Sequence, residues 1–227
     1  MTRLGGFGMA LLLLWLGGCA RFPDAPPGGG VRRLVIEMQV AGRIRPEYHY
    51  FVLFNLSNDP TGQAGPVPVL VPPWGNGFAG GAFTHFMRFD RFQPQARYAL
   101  YRVVQGTNLS VFEFLGVPIS VQPVSAESNR LRFEILLTQF IPDPEDAQAM
   151  QFIQLNFIAT DRVPIDPNDT TPKVSDALGA PGLGQYLNLR IDQDRIIRNL
   201  DTGLESGGDV ADPDLDIVDW RVEVRTL

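Results

Sequence analysis

The nine residues IVDWRVEVR, positions 217–225, decide the fold class. Val218, Trp220, Val222 and Val224 fall on one side of an extended chain, and Asp219, Arg221, Glu223 and Arg225 on the other. Successive side chains of a strand point to opposite faces, whereas a helix would scatter both sets around its axis. The same period recurs in residues 130–137, where Leu131, Phe133, Ile135 and Leu137 oppose Arg130, Arg132 and Glu134. One-sided burial of this kind belongs to antiparallel sheets with one face on a core and one in water.

Outward from these two stretches, further runs rich in Val, Ile, Phe, Tyr and Leu occupy residues 33–40, 48–56, 98–105, 111–121, 152–160 and 186–192. Pro, Gly, Asn and Asp punctuate them, as expected between strands. Helical signals are sparse. Residues 144–150 predict one turn, with Asp143 as N-cap and Pro144 at the first helical position, and residues 195–200 predict another. Nineteen prolines among so many short strands predict an all-β fold: an antiparallel two-layer β-sandwich, immunoglobulin-like or jelly-roll-like, with long acidic loops and little helix. Residues 122–129 are the candidate for an internal boundary, and are short enough for an ordinary loop.

The N-terminus differs in kind. A basic start with Arg3 leads into an apolar run at residues 9–16 and then Gly17, Gly18 and Cys19. That run is shorter than the roughly 20 apolar residues a membrane-spanning helix needs, and its three zones read as a secretory signal. Leu16-Gly17-Gly18-Cys19 resembles the lipobox of bacterial lipoproteins: an apolar residue, two small residues, then the cysteine. The resemblance implies a signal peptide at residues 1–18, removed on export. It also implies a mature chain beginning at Cys19, which carries diacylglyceryl and an amide-linked acyl chain such as palmitate. Cys19 is the only cysteine in the chain, so no disulfide and no thiolate metal site are expected. Residues 19–30 read as a Pro/Gly-rich tether, of which ARFPDAPPGGG spans at most about 35–40 Å. Ala20 after the cysteine resembles the outer-membrane sorting pattern of two-membrane bacteria. Residues 31–227 remain for the sandwich domain.

Charge is uneven. Acids and bases balance from residue 19 to 160, whereas residues 161–227 hold 14 acids against 7 bases, counted along the chain. No basic stripe forms, so nucleic acid is not an expected partner. The histidines, His49 and His85, sit in apolar strand-like runs, where a structural role is the default; they are too far apart in sequence to suggest zinc. Asp201-Thr202-Gly203 resembles the catalytic triplet of aspartic proteases. It follows Arg198-Asn199-Leu200 instead of an apolar strand, however, and reads better as a turn.

Two features remain as candidate sites. Asp209, Asp212, Asp214 and Asp216 offer oxygens for Ca²⁺. They do not make an EF-hand, because Ile217 occupies the place of the tight-turn glycine and Glu223 lies in a strand. Asp161, Asp166 and Asp169 form a second acidic loop. The other feature is the loop PPWGNGFAGG at residues 72–81, where Trp74, Asn76 and Phe78 would offer an apolar plate and hydrogen-bond partners to a sugar if exposed. The alternative is that Trp74 folds back to cap the sandwich. With 25 acids, some carboxylate pair at glycosidase spacing is unavoidable and proves little. The expectation is therefore a lipid-anchored cell-envelope protein, held to the membrane through Cys19, with a non-enzymatic binding or structural domain. The alternatives are a carbohydrate-binding module with structural Ca²⁺, partnered by a glycan, and a carboxylate-dependent envelope hydrolase.

Overall fold

The computed structural model describes residues 30–89, 97–104 and 111–227; Cys19 and most of the tether lie outside them. The strands are β1 (Arg32–Val40), β2 (His49–Asn55), β3 (Pro66–Pro68), β4 (Ala79–Gly81), β5 (His85–Phe89), β6 (Tyr98–Val104) and β7 (Val111–Gly116). They continue with β8 (Ser120–Val121), β9 (Arg130–Leu136), β10 (Phe152–Thr160), β11 (Ser175–Ala177), β12 (Leu187–Arg190), β13 (Arg195–Arg198) and β14 (Ile217–Thr226). Two short helices, α1 (Pro144–Ala149) and α2 (Asn199–Thr202), complete the described elements together with a 3₁₀ turn at Leu137–Gln139. Among the described residues no helix is long and apolar enough to cross a membrane.

The fold is an antiparallel β-sandwich. One sheet has the order β13-β14-β1-β9-β8, and the other β11-β10-β2-β5-β6-β7 with β12 also on β10. In the first sheet Ile36 sits opposite Val222 on one side and Phe133 on the other. This register stacks Leu34, Ile36 and Met38 beside Leu131, Phe133, Ile135, Trp220, Val222 and Val224 on the inner face. Tyr50, Val52, Phe54, Met87, Leu155 and Phe157 of the second sheet close the same core. Outside the first sheet the alternate residues form a charge ladder. Glu37 lies between Arg221 and Arg132 in register and pairs with Arg221 and Arg130 at 3.2 Å each. Such pairs add little stability singly, yet Glu37 and Val35 are buried within the ladder.

Three local expectations are corrected. A register shift at Gln39/Val40 brings Ile217 opposite Val40, so Ile217 lines the core and Val218 is displaced to a half-buried position against Gly207. The apolar run at 111–121 is not one strand: β7 ends the second sheet and β8 begins the edge of the first. Gly116, at φ +117, makes this turn, and Pro118 has no N–H to extend a ladder. Residues 195–200 are strand β13 running into a single helical turn, because Arg195–Arg198 pair with β14. The helix at Pro144 forms as read, with Asp143 accepting the Glu145 N–H at 2.8 Å. Residues 122–129 simply join β8 to its neighbour β9.

The outer face of the second sheet carries a third layer. Hairpin β3–β4 and the loop within it lie over β2, β5 and β10, and Phe78 stacks on Phe51 at 4.2 Å and 6°. Phe86, Phe83 and Phe112 surround Phe78 at 5.3 to 6.1 Å.

Candidate metal centre

The loops at one edge of the sandwich bring four acids together. Asp176 lies on β11, at the edge of the second sheet; Glu205 and Asp209 lie in the segment after α2; Asp216 directly precedes β14 of the first sheet. Carboxylate oxygens of Asp176, Glu205 and Asp209 fall within 4.8 Å of one another. Asp176 and Glu205 are only 3% and 4% exposed. Backbone amides hold three of the acids in place. Asp176 accepts from Ala177 N–H at 2.8 Å and Ile217 N–H at 2.6 Å, and Glu205 from Gly179 and Gly207. Asp216 accepts the Gly208 N–H with both oxygens, at 2.8 and 2.9 Å. Asp209 is different: both its oxygens are closed off from solvent, no basic side chain or neighbouring amide among the described residues donates to them, and the group they face is the Asp216 carboxyl.

Electrostatics follow from this geometry. Burial, with Glu205 and Asp209 adding repulsion, pushes the Asp176 carboxyl up to about 8. Burial, with Asp209 adding to it, pushes Glu205 up to about 7. Asp209 is raised by burial first and then by neighbouring Asp216. Among the described residues no arginine, lysine or histidine pairs with any of the four. Two unit charges about 4.8 Å apart repel by about 3.5 kcal/mol at an effective dielectric of ~20, so the cluster is unfavourable as bare anions. Raised carboxyls are what general-acid catalysis uses. Asp176 and Glu205, however, are covered and bound to backbone, out of reach of a polysaccharide chain. A cation small enough to be enclosed suits the donor set better.

The structure divides the four acids singled out from the sequence. Asp209 and Asp216 join the cluster. Asp212 and Asp214 are turned toward the segment linking β1 and β2: Asp212 accepts from Tyr48 Oη at 2.7 Å, and Asp214 pairs with Arg45 and accepts the Arg43 N–H at 2.7 Å. Asp176 and Glu205 were missed. One is a lone acid more than thirty residues upstream and the other a lone acid among glycines, so neither carries a local signal. The second acidic loop closes on itself through Asp161, Asp166 and Asp169, whose side chains accept the backbone N–H groups of Val174, Asn168 and Thr171.

The glycine-rich loop is not an exposed plate. Trp74 is 2% and Phe78 3% exposed. The Trp74 Nε1–H donates to the Asp169 carbonyl at 2.5 Å, and Lys173 lies over the ring at 5.9 Å while donating to the carbonyls of Val69 and Gly77. Asn76 accepts from the N–H groups of Phe78 and Ala79, which folds the turn. The folded-back alternative for Trp74 is the one observed: the ring is covered, with its N–H bonded to the loop at Asp169 and Lys173 over its face. The aspartic-protease-like triplet is a capped turn: Asp201 accepts the Arg198 N–H at 2.9 Å and Gly203 ends α2 at φ +60.

Compared with known proteins, the chain matches no known family, no curated sequence and no solved structure.

The two histidines cannot share a ligand. His49 opens β2, and His85 pairs with Phe54 five residues further along it, about 17 Å away. His85 rests on Phe140 with ring centroids 4.7 Å apart and shares a hydrogen bond with Thr84 Oγ1 at 3.0 Å. Its Nε2 is buried without a partner. Burial, and then the charge of Arg102, lowers it to about 4. A base depressed in the folded state takes up protons mainly on unfolding, so stability is lost as pH falls from about 6.5 to about 4. The loss is about 3 kcal/mol by the lower pH. Urea titrations at pH 7 and pH 4 are expected to show this slope in the wild type and to show it reduced by about that amount in His85→Gln. Parallel pH profiles for the two proteins would refute the assignment.

Proposed function

We propose that the chain is a lipid-anchored protein of the cell envelope whose β-sandwich has a non-enzymatic binding or structural role. The observation that carries this reading is Leu16-Gly17-Gly18-Cys19, a lipobox-like sequence built around the only cysteine in the chain. Lipidation consumes the one thiol, and two or more acyl chains make anchoring stable. The way the domain meets the tether supports the reading. β1 begins at Arg32, directly after the tether, and is hydrogen-bonded on both sides, to β14 and β9. Tension on the tether is therefore carried by a central strand in register with two partners, and not by a frayed edge. The partners on this reading are the membrane, through lipid on Cys19, and an envelope protein or glycan; nucleic acid is not among them.

The test is metabolic labelling of the full chain in a two-membrane bacterium with an alkyne-bearing palmitate. The wild type is expected to label and to sediment with membranes until detergent is added. Cys19→Ser is expected to lose the label and leave the membrane fraction. An unlabelled wild type, or a Cys19→Ser variant that stays membrane-bound, would overturn the anchor.

A further inference from the structure

We infer that Asp176, Glu205 and Asp209 form a Ca²⁺ site that joins the two sheets at their shared edge, with Asp216 beside it. The inference is independent of the lipid anchor. It rests on two separate observations.

The first is the donor set. Three carboxylate groups from distant parts of the chain place oxygens within 4.8 Å of one another. Two oxygens of one Ca²⁺ shell lie at most about 5 Å apart, twice a Ca–O distance of about 2.3–2.6 Å, and Ca²⁺ accepts irregular carboxylate shells that octahedral Mg²⁺ does not.

The second is the state of Asp209. Both its oxygens are shut off from solvent, and what they face is the carboxyl of Asp216 and not a basic side chain. A buried carboxylate without a partner is costly, and every other acid of the group has backbone amides bound to it. Those amides use about two of the roughly four lone-pair positions on each carboxylate. Together with Asp209, enough oxygens remain for most of a six- to eight-coordinate Ca²⁺ shell. Asp209 and Asp216 therefore face each other as two acids beside Asp176 and Glu205, an arrangement that a shared cation satisfies.

The consequence is mechanical. Asp176 sits on β11 of the second sheet and already bonds Ile217 at the start of β14 of the first. A cation on Asp176 also holds Glu205 and Asp209, and so the segment between α2 and β14. Calcium thus clamps an edge that hydrogen bonds alone close only partly.

The full chain, purified in detergent and stripped with a chelator at pH 8, is titrated with CaCl₂ by calorimetry and melted at each concentration. One Ca²⁺ per chain is expected, with a melting temperature that rises with Ca²⁺ concentration and weaker binding of Mg²⁺. Asp209→Asn is expected to weaken Ca²⁺ binding at least tenfold without lowering the melting temperature of the stripped protein, because without a cation Asp209 faces only another acid. Asp212→Asn, a change in the same acidic stretch but outside the cluster, is expected to bind Ca²⁺ like the wild type. No saturable Ca²⁺ binding up to millimolar concentration, or equal binding by Asp209→Asn, would overturn the site; Mg²⁺ binding as tight as Ca²⁺ would overturn the choice of cation.

Discussion

Trp74→Ala is expected to lower the stability of the fold by about 3–5 kcal/mol, the range for emptying a buried aromatic site. For a domain of this size that is a fall in melting temperature of roughly 6–20 °C. The ring is almost fully covered, its N–H is bonded to the Asp169 carbonyl, and Lys173 lies over its face. Truncation removes all three contacts and leaves the Asp169 carbonyl without its donor. It also loosens the layer that holds Phe78 on Phe51. Leu200→Ala, at a residue 88% exposed, serves as control and is expected to change little. Thermal melts followed by circular dichroism measure both. An unchanged melting temperature for Trp74→Ala would mean that the ring is not packed, and would return it to the solvent-facing role a sugar plate requires.

Asn156→Asp is expected to be as damaging, although it barely changes volume. Asn156 is fully buried on β10, and its Nδ2 donates at 2.9 Å to two carbonyls, those of Pro66 and Gln185. Its Oδ1 accepts the Leu178 N–H at 3.2 Å. One side chain thus joins the central strand to hairpin β3–β4 and to the loops after β11. An aspartate there faces two carbonyl oxygens, so the fold must either hold an unpaired anion or protonate it. Protonation at pH 7 costs about 4 kcal/mol relative to an ordinary carboxyl near 3.9. The folded-state carboxyl is raised, so stability is lost as pH rises above about 4. Urea midpoints at pH 7 and pH 4 are expected to show the variant about 5 kcal/mol less stable at the first, the sum of the protonation cost and a lost donor. About 1 kcal/mol should remain at the second, where the acid still lacks one of the two donors. Equal losses at both pH values would show that the damage is not electrostatic.

These two positions mark the limit of what could be read from the chain alone. Trp74 and Phe78 lie in a glycine-rich stretch without strand periodicity, so nothing local distinguishes an exposed loop from one laid over a sheet. For Phe78 the outcome depends on Phe51, Phe86 and Phe112 presenting an apolar outer face, and for Trp74 on the Asp169 carbonyl and Lys173. Those phenylalanines occur in runs that are apolar at nearly every position, such as HYFVLFN. A run of that kind says that both faces are covered, but not by what.

The candidate metal centre divides in the same way. Four closely spaced aspartates suggested a cation loop. In the folded chain two of them serve Tyr48 and Arg45, while the other two meet an acid from β11 and one from the segment after α2. Local spacing could propose ligands, but only the packing of the two sheets' edges could select them.

What the sequence by itself determined is whatever depends on neighbours along the chain: strands from two-residue alternation in 130–136 and 219–225, the helix start at Asp143-Pro144, and the turn at Gly203. From these the all-β sandwich follows, because sheets with one apolar face must bury it against another. The tertiary structure alone decided the order of strands, the bulge that puts Ile217 in place of Val218, the third layer over the second sheet and the membership of the acidic cluster. Each of these turns on contacts between residues far apart in the chain, and such contacts leave no periodic trace in the sequence that makes them.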